Sequence, residues 1–98
     1  MPIQTPFDLA FLEKATESLR AVAHPIRLGI IDLLFHNEQL SVTEIYETLK
    51  IEQAVASHHL RIMKDRNIVA VVRDGKNANY YLTDKDYYQI VDALTKLI

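Results

Sequence analysis

"QAVASHHLRIMKDRN", Gln53 to Asn67, is the stretch whose reading decides the fold. A helix turns by about 100° per residue, which puts Ala56, Leu60 and Met63 on one side, where they must pack against a core. His58 falls on the opposite side with Ala54, Ser57 and Arg61, so that side faces out. His59 sits at the margin of the apolar side, near Val55 and Ile62. The two adjacent rings diverge by the same turn and cannot chelate one ion, because ligands sharing a helix face need a spacing of three or four. His59 therefore reads as a partly buried structural residue whose ring nitrogens bond backbone or a helix end. His58 reads as an outward hydrogen-bonding group.

The flanking residues supply the context. Upstream, Ser41-Val42-Thr43-Glu44 has the capping-box pattern and opens a short helix with Ile45 and Leu49 on its apolar side. Lys50-Ile51-Glu52 is the turn between that helix and the quoted one. Further back, Thr5-Pro6-Phe7-Asp8 reads as a helix start, with Thr5 as the cap and Pro6 in the first helical position. Phe11, Ala15, Leu19 and Val22 then recur at helical spacing. Pro25 restarts the helix after His24, and Ile26, Ile30, Leu33 and Leu34 form one face of a largely buried second helix. Downstream, "IVAVVR" and "ANYYLT" are strands joined through "DGKN", which contains a strong hairpin dipeptide. Thr83 or Asp84 can cap a last helix with Tyr87, Ile90, Val91, Leu94, Leu97 and Ile98 as its apolar stripe. Four helices, a β-hairpin and a closing helix make a mainly α fold with a β-hairpin wing, the layout of a winged helix-turn-helix. The recognition helix spans about 53–66 and the wing about 68–83. Without repeats or linker, residues 1–98 are expected to form a single domain.

Composition narrows the function classes. The 98 residues include no cysteine, which excludes disulfides, thiolate metal sites and thiol redox switching within the chain. No apolar run approaches the roughly 20 residues of a membrane span, and the N-terminus lacks a basic signal-peptide start, so a cytoplasmic protein without membrane contact is expected. The net charge of −2 conceals an asymmetry: residues 1–52 carry −4, residues 53–76 carry +3 and residues 77–98 carry −1. Positive charge is concentrated where a DNA-facing element would need it. There is no glycine-rich phosphate loop and no His-Glu-x-x-His helix, so no enzyme constellation is present.

"AVAHPIRLGIIDLL", "LSVTEIYETLKIEQAVASHHLRIMKDRNIV" and "VVRDGKNANYYLT" together resemble the ArsR-type (arsenic-repressor-like) winged-helix repressors. The likeness spans about Leu19 to Thr83. It rests on His-Pro-x-Arg-Leu opening the second helix, Ser-x-His-Leu in the fourth and the Gly-…-Tyr-Tyr-x-Leu wing. The resemblance implies a homodimer built on the first and last helices, with each fourth helix in a major groove of a near-palindromic operator. Many members of the family release DNA when a metal or an oxidant binds. This sequence departs from both metal motifs. Leu40-Ser41-Val42-Thr43-Glu44 stands where a Cys-x-Cys-like pair is needed, and Asp86 is followed by Tyr87 and Tyr88 rather than by the Asp-x-His pattern. No metal and no cofactor are expected. The turn also departs, with Lys50 where glycine is usual and Glu52 where a capping serine is usual.

Within that frame Gln53, Ala54, Ser57 and His58 are expected against base edges, with glutamine able to bond adenine through two hydrogen bonds. Arg61 can reach guanine or phosphate. Lys64 and Arg66 at the helix end, and Arg73 and Lys76 on the wing, are expected on phosphates. Asn77 and Asn79 are expected at or near the minor groove. Phe7, Phe11, Ala15 and Leu19, with Leu94, Leu97 and Ile98, offer apolar surface for the dimer. His24 is expected to terminate or cap backbone. His36 ends the second helix, where the dipole favours a cation. The expected function is a homodimeric, sequence-specific DNA-binding repressor. The alternative is a protein-interaction module on the same scaffold that has lost DNA binding, suggested by the acidic net charge and by Glu52. A response to pH through the histidines is a further option for its signal.

Overall fold

In the computed structural model, which describes residues 2–98, the chain runs through α1 (Leu9–Val22), α2 (Pro25–His36), β1 (Leu40–Ser41), α3 (Val42–Leu49) and α4 (Gln53–Asp65). It continues through β2 (Val69–Asp74), β3 (Asn77–Leu82), a single 3-10 turn (Lys85–Tyr87) and α5 (Tyr88–Leu97). The expected winged helix-turn-helix is there, with one strand more than the hairpin. β1 pairs antiparallel with β3, Leu40 opposite Tyr80 and Ser41 opposite Asn79, so the sheet order is β1-β3-β2. A two-residue strand is too short to show an alternating pattern, and Ser41 shows in the sequence only as a cap.

Helix starts follow local capping chemistry. Asp8, rather than Thr5, caps α1, its carboxylate accepting the Phe11 N–H at 2.8 Å. Pro6 therefore lies outside the helix, and Thr5 accepts only the Phe7 N–H. Both residue types cap well, but a carboxylate adds a favourable charge at the positive end of the helix dipole. His24 caps α2 through ring Nδ1, which accepts the Ile26 N–H at 3.1 Å, and Pro25 takes the first helical position. Ser41 and Glu44 close a complete capping box on α3. Asp84 caps the 3-10 turn rather than α5, which begins without a side-chain cap.

α3 and α4 end alike. After α4, Asn67 adopts φ 59°; its N–H reaches the Lys64 carbonyl at 3.0 Å, and the Ile68 N–H reaches Met63 at 2.9 Å. This is a Schellman motif, with buried Ile68 against buried Met63 as its apolar seal. The recognition helix thus stops at Asp65 instead of 66, and Asn67 is the left-handed residue beyond it. Asparagine tolerates that conformation better than most side chains. After α3 the same pair of bonds runs from Lys50 to Glu47 and from Ile51 to Tyr46, but the left-handed position holds Lys50, at φ 57° and ψ 47°. Lysine is strained there.

The core joins Val22, Ile30, Ile31, Leu34, Ile45, Leu60, Met63, Ile68 and Val69, all 0–2% exposed. α2 buries a wider arc than the face expected of it, adding Ile31, because α3, α4, α5 and β3 all pack on it. At Gly29 an added Cβ would stand 3.0 Å from the Leu49 side chain, so α2 and α3 approach closely at that point. Phe35 stacks on Tyr88 at 3.9 Å between ring centroids, with His36 edge-on to both, which holds α5 against the end of α2.

α1 stands apart from this core. Only Ala21 and Val22, at its end, are buried, and every residue from 9 to 20 is exposed. The protomer accordingly measures 61 × 28 × 22 Å, with a radius of gyration of 15.7 Å, against about 13 Å for a compact domain of this size.

Replacing Lys50 by glycine relieves the left-handed strain without touching the core. Lys50→Gly is expected to stabilise the fold by about 1 kcal/mol, seen as a higher urea midpoint with an unchanged slope.

Candidate nucleic-acid interface

The core fixes which side of α4 is free. Ala56, Leu60 and Met63 are 0% exposed, and His59 is 7% exposed beside them. Gln53, Ala54, His58, Arg61 and Lys64 are exposed on the remaining surface, and Ser57 is half-buried at its edge. The expected division of the helix holds, and the polar side is uncovered in the protomer.

The wing carries its charges at the far end of the sheet. Asp74 pairs with Asn77, so Gly75 and Lys76 are the central residues of the expected Asp74–Asn77 turn. Gly75 has φ 62°, the positive value that a type II′ hairpin needs at its first central position. Arg73, Lys76 and Asn77 are exposed about this tip. Asn79 is not at the tip: it lies half-buried in the central strand, opposite Val72 on one side and Ser41 on the other.

Ion pairs among the described residues are Arg20 with Glu17 and Lys96 with Asp92 at 3.1 Å, and His36 Nδ1 lies 3.4 Å from the Asp32 carboxylate. None involves Arg61, Lys64, Arg66, Arg73 or Lys76. The basic side chains of α4 and the wing are therefore uncommitted within the protomer. One acid intrudes: Glu52 precedes α4 and makes no capping hydrogen bond.

His59 differs from expectation in its partner. Its Nδ1 accepts from the Arg27 Nε–H at 3.1 Å, and not from backbone or a helix end. Arg27 also donates through Nη1 to the Ala21 carbonyl at 3.1 Å. The His24 ring lies against His59, 4.2 Å between centroids, and His58 stands edge-on at 5.2 Å. Burial, then His24, Arg27 and His58, hold the His59 pKa below the usual histidine range. This grouping was missed in the sequence, since it joins residues 32 positions apart. The one available signal was a lone arginine in the otherwise apolar run Pro25–Ile31, which requires an acceptor once buried.

The proposed dimer residues fall on open surface. Leu19 is 50% and Leu97 80% exposed, with Phe7, Phe11, Ala15, Leu94 and Ile98 also exposed. Phe7 stacks on Phe11 at 4.7 Å. Phe11, Ala15 and Leu19 line one wall of an apolar groove of about 660 Å³, and Tyr87 and Ile90 line the other. Leu94, Leu97 and Ile98 lie farther along the final helix, outside this groove.

The donor sets at the family's metal positions do not fit a metal. The Glu44 carboxylate accepts the Ser41 N–H at 2.9 Å and the Ser41 hydroxyl accepts the Glu44 N–H, so both are committed to capping. Asp86 accepts from Gln89 and adjoins two tyrosines.

A helix-turn-helix domain family matches residues 22–72, the span from the end of α1 through β2. The chain is 33% identical over 87 residues to the HTH-type transcriptional regulator NmtR of Mycobacterium tuberculosis, covering 89% of this chain and 72% of that protein. It is 36% identical over 80 residues to the HTH-type transcriptional repressor SmtB of the same species, covering 82% of this chain and 58% of the relative. The crystal structure of NolR from Sinorhizobium fredii superimposes with a TM-score of 0.80 at 27% identity, covering 99% of this chain and 96% of that one. The protein belongs to the ArsR-type winged helix-turn-helix transcriptional regulators.

Glu52 is the feature of this surface open to a single-residue test. Glu52→Ser is expected to add a capping bond to α4 and stabilise the fold by about 1 kcal/mol. It should also tighten binding to duplex DNA by removing an acid beside the phosphates, measured by thermal unfolding and by titration of labelled duplex.

Proposed function

We propose that the protein is a homodimeric, sequence-specific DNA-binding repressor acting on a near-palindromic operator. The observation that carries this reading is the exposed side of α4, whose cations have no internal partners and which continues in charge onto the wing. In this reading Gln53, Ala54, Ser57 and His58 meet base edges, and Arg61 meets guanine or phosphate. Lys64, Arg73 and Lys76 neutralise phosphates, and Asn77 lies at the minor groove. A DNA-bound regulator works in the cytoplasm, and SmtB, a relative, is itself described as a transcriptional repressor.

Dimerisation supplies what the protomer lacks. The apolar side of α1 is unburied, and a domain of this size gains little from its own core. Phe7, Phe11, Ala15 and Leu19 of two copies, with Leu94, Leu97 and Ile98, would cover one another about a two-fold axis. Such symmetry sets the two α4 helices about 34–36 Å apart, the separation of successive major grooves.

The test is titration of a duplex carrying the region upstream of the protein's own coding sequence, at two salt concentrations. Affinity should fall steeply with salt through counterion release. Arg73→Ala and Lys76→Ala should each weaken binding on all sequences and lower the salt slope by about 1. Gln53→Ala should instead reduce discrimination between operator and unrelated duplex. Salt-independent or absent binding would favour the protein-interaction module that Glu52 suggests. Leu19→Glu, at a site open in the protomer, should leave a folded monomer by sedimentation, with operator affinity lost.

A further inference from the structure

We propose that Arg27 and His59 are positioning residues forming a proton-gated tie between α1 and α4, so that operator binding weakens as pH falls. This rests on the DNA-binding reading above. One guanidinium spans three helices: it belongs to α2, donates to the Ala21 carbonyl in the last turn of α1 and donates to His59 Nδ1 on α4. α1 carries the dimer surface and α4 the DNA surface. The angle between them sets where the two recognition helices of a dimer point, and Arg27 is the polar bridge across that joint.

The bridge requires a neutral histidine. A guanidinium only donates hydrogen bonds, so His59 Nδ1 must present a lone pair to it. A proton on that nitrogen removes the acceptor and sets two cations face to face. The surroundings provide no compensation. From the joint between α1 and α2 comes the His24 ring, whose Nδ1 is already occupied by the Ile26 N–H. From α2 comes Arg27, and from α4 itself His58. From α1 comes only the Ala21 carbonyl, already bonded to Arg27. Among the described residues, α3 and β2 add no charged group to those acting on His59, and no carboxylate is among them.

The direction follows from linkage. Burial, then His24, Arg27 and His58, lower the pKa of His59 in the tied arrangement. The tie is therefore intact above the ordinary histidine value of about 6.5 and is lost as pH falls from there through the lowered value. Protonation favours arrangements in which the ring has left Arg27 and α4 is free to shift against α1. His58 is adjacent to His59, on the exposed side of α4 that the DNA-binding reading turns toward the duplex. The two histidines must be separated experimentally.

The experiment measures affinity of the full-length dimer for the upstream duplex from about pH 7.5 to 5.5 at constant ionic strength, in a His58→Gln background. Affinity should fall by about tenfold or more across that range. Adding His59→Gln, which keeps an acceptor but cannot gain a proton, should give a flat profile. A flat profile before that substitution, or an unchanged slope after it, would overturn the proposal. Ring ¹⁵N spectra of the unmodified protein provide a readout that needs no DNA. His59 should be neutral with its proton on Nε2 and should titrate below the ordinary histidine value, and Arg27→Met should move that titration. Ordinary titration in the intact protein, or none of that movement, would likewise refute the tie. If no duplex binds at any pH, the DNA-binding reading fails, while the ring titration still decides whether Arg27 and His59 are coupled to a proton.

Discussion

The burial of one side of α4 is the constraint on which the rest depends. Ala56, Leu60 and Met63 are sealed against the core, and truncating a buried leucine or methionine typically costs about 2–5 kcal/mol. That is a large part of the stability of a small domain. The helix therefore cannot rotate about its axis to hide its other side. Gln53, His58, Arg61 and Lys64 are exposed because Leu60 and Met63 are not. The DNA-facing surface is in this sense a by-product of core packing, and its shape is as rigid as the core beneath it.

Charge and shape divide the labour on the outside. The basic side chains of α4 and the wing have no internal ion pairs, while acids of α1 and α5 hold Arg20 and Lys96 along their own helices. A protein with net charge −2 can therefore offer a positive surface in one place. α1, exposed along most of its length, gives the protomer its elongation and its largest unburied apolar strip.

Much of this was legible in the sequence because it follows from short-range rules. The sides of α4, the capping box at Ser41 and Glu44 and the restart at Pro25 all depend on residues within a few positions of one another. What was misread depended on competition or distance. Thr5 and Asp8 both cap well, and only the charge on Asp8 separates them. The strand at Leu40 exists only because β3 runs beside it. His59 was read as partly buried and is buried, but its partner is remote in sequence and no periodicity points to it. The contact surfaces are legible as surfaces, since exposure follows from packing, whereas which base each side chain meets depends on a duplex.

The corner after α4 has a consequence for operator architecture. The Thr83 hydroxyl donates to the Asn67 and Ile68 carbonyls at 2.6 and 3.0 Å, and its N–H donates to Ile68 at 3.1 Å, bolting the base of the wing to the Schellman turn. Wing and recognition helix thereby become one reading head instead of two independently hinged arms. In the proposed complex, the interval within a half-site between the bases facing the helix and the backbone facing the wing would then be a fixed ruler. Sites with an inserted or deleted base pair in that interval would be out of register with the head, however well each part matched alone.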